Sequence, residues 1–143
     1  MKLQELLAID ILNETSLEEN TETGKAAKII RSFIEFAANE LQLNDLPKFY
    51  FFTDTDFSVK HSSFGGYGNG TIYVMVTNRH INDVLRSTAH EMVHYRQDIE
   101  GRIKNDSGDT GSAIENEANY MAGIIMREWG KMHPNLFCMK AIA

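Results

Sequence analysis

Cysteine is all but missing from this chain. There is one, Cys138, so no intrachain disulfide can form and packing must supply the stability. That scarcity fits a reducing compartment, and the expected location is cytoplasmic. Proline is nearly as rare: Pro47 and Pro134 are the only two in 143 residues, which leaves room for long unbroken helices. Basic charge is in deficit, with 14 Lys and Arg against 20 Asp and Glu and a net charge of −6. A chain without a basic surplus lacks the means to neutralise nucleic-acid phosphates, and it has no attraction to anionic lipid. No apolar run reaches the length of a membrane span. The opening stretch from Met1 is broken by Gln4, Glu5 and Asp10 and makes a poor signal-peptide core. The expectation is a soluble protein that binds neither nucleic acid nor membrane. What is present is ordinary: 43% hydrophobic and 24% charged residues, enough for one domain with one core.

Residues Met1 to Thr23 read as an attached segment. Leu3, Leu6 and Leu7 suit one face of a short helix, and the polar, acidic run Asn13 to Thr23 reads as a linker. Its functional reading is a segment that covers a site or docks a protein partner. Residues 24–143 form the expected domain. From Lys25 to Leu43 the apolar residues Ile29, Ile30, Phe33, Ile34, Ala37 and Leu41 recur at helical spacing, and Asn44-Asp45-Leu46-Pro47 ends the pattern. Phe49 to Phe52 reads as a buried strand, Phe57 to Phe64 as a second and Thr71 to Thr77 as a third. The glycine-rich run Gly65 to Gly70 matches no phosphate-binding spacing and reads as a turn between strands. A helix from about Asp83 to Glu100, capped by Asn78 or Asn82, stops at Gly101. After a polar loop, a last helix covers about Ser112 to Met132 and stops before Pro134. The order predicts an α+β fold, with a small, mostly antiparallel sheet packed on helices.

The chemistry concentrates in His90-Glu91-Met92-Val93-His94. On a helix, histidines four apart lie on one face, one turn above the other, and two imidazoles can reach one Zn²⁺. Glu91 then lies beside the metal without binding it, placed to take a proton from metal-activated water. A zinc site of this kind needs a third protein ligand. The last helix offers Glu115 and Glu117, which point about 200° apart, so only one can serve. Glu115 shares its face with Asn119, Ala122 and Met126; Glu117 shares its own with Tyr120, Ile124 and Arg127. The first face is the drier and favours Glu115 as the ligand. A rival reading keeps Glu115 for a capping box with Ser112, turned back to the helix start.

His90-Glu91-x-x-His94 followed by Glu115-x-x-Ala118-Asn119 resembles the gluzincin branch of the zincin metallopeptidases. The second motif looks like the third-ligand motif of the minimal gluzincins, which include the regulatory peptidases of the ImmA/IrrE type, the related Glu-x-x-Ala-Asp membrane peptidases and short phage-encoded relatives. The resemblance covers about Thr71 to Met132. It implies a compact zincin-like domain with one Zn²⁺ held by His90, His94 and Glu115. It further implies Glu91 as general base, Asn119 in support one turn after the glutamate, and a peptide or protein substrate. In zincins the strand before the metal helix pairs with extended substrate, and here that strand is Thr71 to Thr77. A tyrosine or histidine often stabilises the oxyanion in similar enzymes; Tyr95, Tyr120, His61 and His80 are the candidates. The expectation is therefore a zinc-dependent hydrolase, a peptidase. The alternative is a metal-binding zincin-fold interaction module with little or no catalysis, which the shortness of the chain motivates. A third reading lets the histidines pack with no metal at all.

Overall fold

The computed structural model describes residues 22–52, 65–104 and 112–139. The N-terminal segment up to residue 21, the expected strand Phe57 to Phe64 and His61 lie outside the described residues.

The first apolar stripe forms helix α1, Glu22–Glu40, which buries Ala26, Ala27, Ile30, Phe33, Ile34 and Ala37. It ends three residues short of the expected Leu43. Gln42 turns left-handed (φ 56°), its N–H bonds to Asn39 and that of Leu43 bonds back to Ala38. This closure satisfies the last carbonyls and stops the helix before Pro47 is reached.

Three strands follow: β1 (Lys48–Phe52), β2 (Gly65–Gly68) and β3 (Thr71–Met75). The sheet order is β1-β3-β2, with β3 parallel to β1 and antiparallel to β2. The sheet is thus mixed, where a mostly antiparallel one was expected. The reason is local on one side and long-range on the other. Asn69 (φ 51°) and Gly70 (φ 75°) make a two-residue turn that folds β2 directly back on β3. β1 pairs with the opposite edge of β3 and runs in the same direction, which only a longer crossover permits. The glycine-rich run is therefore itself a strand up to Gly68, and only Asn69-Gly70 is the turn.

Helix α2 spans Ile81–Ile99 and buries Val84, Leu85, Thr88, Ala89, Met92 and Val93 against the sheet and neighbouring helices. Neither Asn78 nor Asn82 caps it. His80 does, its Nδ1 accepting the Asn82 N–H at 3.0 Å. Arg79 braces the start of the helix, donating to Met75 O (2.9 Å), Asp83 O (3.0 Å) and Ser87 Oγ (2.7 Å). The end of β3 is thereby tied to the first two turns of α2. Gly101 (φ 72°) closes the far end: its N–H bonds to Asp98, and the Arg102 N–H bonds to Gln97 O at 2.9 Å.

Helix α3, Ala113–Met132, packs mainly on α2 and buries Ala118, Ala122, Ile125, Met126 and Trp129. Trp129 meets Phe33 of α1 edge-on at 5.2 Å and stacks on His133 at 3.7 Å. Two facing aromatics of this size anchor α1 to α3 and hold the helix pair in register. Among the described residues, the architecture is a small α+β domain with three α-helices and a three-stranded mixed sheet. Among the described residues, no helix is long and apolar enough to cross a membrane.

Candidate metal centre

Helical periodicity carries His90 and His94 to one face of α2, and their Nε2 atoms lie 3.1 Å apart. The third corner comes from α3. Ser112 caps that helix by accepting the Glu115 N–H at 3.1 Å, which fixes the first turn. The Glu115 carboxylate reaches across, with Oε1 at 3.0 Å from His94 Nε2 and Oε2 at 3.1 Å from His90 Nε2. Glu117 points elsewhere, to Gln97 and Arg102. Packing of α3 on α2 therefore selects Glu115 over Glu117. The burial of Ala122 and Met126, against the exposure of Tyr120 and Ile124, agrees with the dry and wet faces read from the sequence.

Two imidazole nitrogens and a carboxylate meet in a triangle with sides of 3.0 to 3.1 Å. Ligands about a tetrahedral zinc with bonds of ~2.0–2.1 Å stand roughly 3.3 Å apart, so the donors lie close to the spacing zinc needs. Two His and one Glu are a donor set that suits a divalent ion such as Zn²⁺. His90, Glu91 and His94 also form a group whose ligand atoms lie within 4.8 Å of one another. The triangle with Glu115 is tighter, since Glu91 Oε1 stands 4.0 Å from each Nε2. Glu91 thus flanks the corner instead of forming it.

Glu91 is 6% exposed. Burial, and then the negative charge of Glu115, push its carboxyl up from 4.5 to about 8. β2 presses on it from above. A Cβ at Gly65 would stand 3.2 Å from Tyr73 O and 3.7 Å from Glu91 Cγ, so a bare glycine is what lets the strand come this close. His90 is held below its ordinary value, first by burial and then by His94, with Glu115 and a hydrogen bond that the ring gives to Asn119 opposing. Asn119 lies one turn beyond Glu115 and against His90.

The centre opens into a cavity of about 540 Å³, walled by Gly65 to Tyr67 of β2, Arg86 and Ser87 of α2, Ile103 and Lys104 after α2, and Ile114 of α3. β3, expected to lie along a cleft, is the central strand with both edges paired; β2 is the strand at the cleft. Three of the four expected oxyanion stabilisers lie elsewhere. His80 caps α2, Tyr95 packs edge-on to Tyr67 at 6.1 Å, and Tyr120 is 68% exposed; none lines the cavity. His61 is outside the described residues. Tyr67 does line it, with its hydroxyl donating to Asp98, and burial and Asp98 raise it to about 12. The one signal for Tyr67 in the sequence was its place as the sole aromatic among the glycines 65–70. Comparison with protein families, with curated proteins and with solved structures finds no match to this chain.

Proposed function

We propose that the protein is a zinc-dependent hydrolase acting on peptide bonds, in a compact zincin-like domain of gluzincin type. The observation that carries the reading is the His90, His94, Glu115 triangle with a buried carboxyl 4.0 Å from both nitrogens, at the floor of an open cavity. His90, His94 and Glu115 would hold the ion. Zinc, when bound, supplies Lewis-acid polarisation of a carbonyl and a lowered pKa for water.

The remaining work falls to the chain. Glu91 takes a proton from the attacking water and passes it to the departing amine, so that one peptide bond is exchanged for a carboxylate and an amine. Burial suits it to this role, because a carboxyl out of water binds a proton more readily than an exposed one. Asn119 orients His90. β2 offers the cleft-side strand along which an extended substrate would lie, and backbone pairing of that kind gives affinity with broad side-chain tolerance. Arg86 and Lys104 put positive charge on the wall of an otherwise acidic protein.

The test is zinc content together with cleavage of casein and of a peptide mixture, in the wild type and in Glu91→Gln. The expected result is one zinc per chain in both and loss of cleavage in the variant. Equal cleavage by the two proteins overturns the mechanism. Stoichiometric zinc with no cleavage in either favours a metal-binding interaction module.

A further inference from the structure

We propose that Gln97, which lies outside the His-Glu-x-x-His pattern, is a positioning residue that locks His94 in the tautomer able to bind a metal, and that the Glu117–Arg102 pair holds Gln97 in that orientation. The inference deepens the metal-centre reading and rests on it for its consequence in affinity.

Gln97 is fully buried, at 0% exposure, in the contact between α2 and α3. A buried amide is costly unless its donors and acceptor are all used, and here they are. One end stands 3.1 Å from Ile114 O and 2.9 Å from Glu117 Oε1. A carbonyl and a carboxylate only accept, so that end must be the NH₂ group. The other end, Oε1, is then the acceptor 2.8 Å from His94 Nδ1. His94 must donate there, and a neutral imidazole has one N–H to give. In the neutral ring Nε2 then carries only its lone pair, which faces His90 Nε2 at 3.1 Å and the acceptor-only Glu115 Oε1 at 3.0 Å, an arrangement that a cation at the triangle satisfies. Turning the amide over would set its oxygen against two acceptors at once, which is why the orientation is fixed.

The hold on Gln97 is built by the helix ends. The turn at Gly101 brings the Arg102 N–H onto Gln97 O. The Arg102 guanidinium then grips Glu117 with both arms, Nη1 to Oε1 at 2.9 Å and Nη2 to Oε2 at 3.0 Å. Arg102 and then Gln97 hold the Glu117 carboxyl below its usual range, so it stays an acceptor. His94 donates to Gln97, Gln97 donates to Glu117, and Arg102 fastens the end. The same short segment supplies Ile103 and Lys104 to the cavity wall, so the wall and the ligand share one anchor. A purely structural role for Gln97, as a tie from α2 to Ile114, would leave the His94 tautomer free.

The experiment uses the whole chain with ¹⁵N-labelled histidine. Ring tautomers are read by long-range ¹H–¹⁵N correlation in chelator, and zinc affinity by competition with a chelating indicator. The expected wild-type result is Nδ1–H at His94. In Gln97→Leu the ring should move toward Nε2–H and zinc affinity should fall roughly 10–100-fold. Arg102→Ala, at a partly exposed residue, should shift both readouts in the same direction by less, and serves if Gln97→Leu does not fold. Nε2–H in the wild type, or Nδ1–H and full affinity in Gln97→Leu, overturns the proposal. A wild type that holds Nδ1–H yet binds no zinc would instead sink the metal reading and leave the lock standing.

Discussion

Replacing the ionisable carboxyl of Glu91 with an amide should make the metal-free protein more stable, and only at pH values where the unfolded chain would ionise that group. In the unfolded chain the carboxyl loses its proton near 4.5, whereas in the fold it keeps it up to about 8. Between those values the folded state binds the extra proton. Stability from this group is complete below 4.5, declines as pH rises, and is gone above 8. At pH 7 the gap between 4.5 and 7 amounts to about 3 kcal/mol in favour of unfolding, before relaxation of the site softens it. Gln at position 91 is neutral in both states and escapes this penalty. Glu91→Gln should therefore match the wild type near pH 4.5 and exceed it by about 1–3 kcal/mol at pH 7.5, some 3–10 °C in Tm for a chain of this size. The assay is thermal and urea unfolding of both proteins in chelator across pH 4.5 to 8.5. Zinc should close the gap, since a cation beside Glu91 favours its ionised form. A variant no more stable than wild type at pH 7.5, or a difference that does not change with pH, would refute the argument from burial.

Other outcomes follow from the same geometry. Glu115→Ala should abolish the stabilisation that zinc confers, about 4 kcal/mol when zinc stands 1,000-fold above its dissociation constant, while Glu117→Ala should weaken that stabilisation and keep it; melts with and without zinc separate the two. Gly65→Val should cost about 1–3 kcal/mol through crowding against Tyr73 O and Glu91, and should lower peptide turnover further than the loss of folded protein accounts for. Trp129→Ala removes the aromatic that joins α3 to Phe33 and Phe36; it should destabilise by about 3–5 kcal/mol in urea unfolding while leaving zinc bound by the protein that remains folded.

Single helices and their faces were legible in the sequence because their causes are local. The four-residue spacing of His90 and His94 needs only a helix to bring two nitrogens together, and Gly101 needs only its own backbone freedom to end that helix. Local reading failed where a different residue met the same need. His80 caps α2 in place of an asparagine, and Gln42 takes the left-handed turn that ends α1 early. Nothing in composition marks a histidine or a glutamine for those positions; each works because its side chain or backbone happens to reach.

The sequence by itself determined that two histidines and a glutamate share one helical neighbourhood, and that a second helix carries two carboxylates on opposite faces. Only the tertiary structure decided which carboxylate arrives, which strand borders the cleft, and which neighbour faces the back of His94. Those outcomes turn on how α3 rests on α2 and how β1 crosses to the far edge of β3. Both are contacts between residues distant in the chain, whose energies depend on fit across an interface. Periodicity along one segment carries no record of that fit.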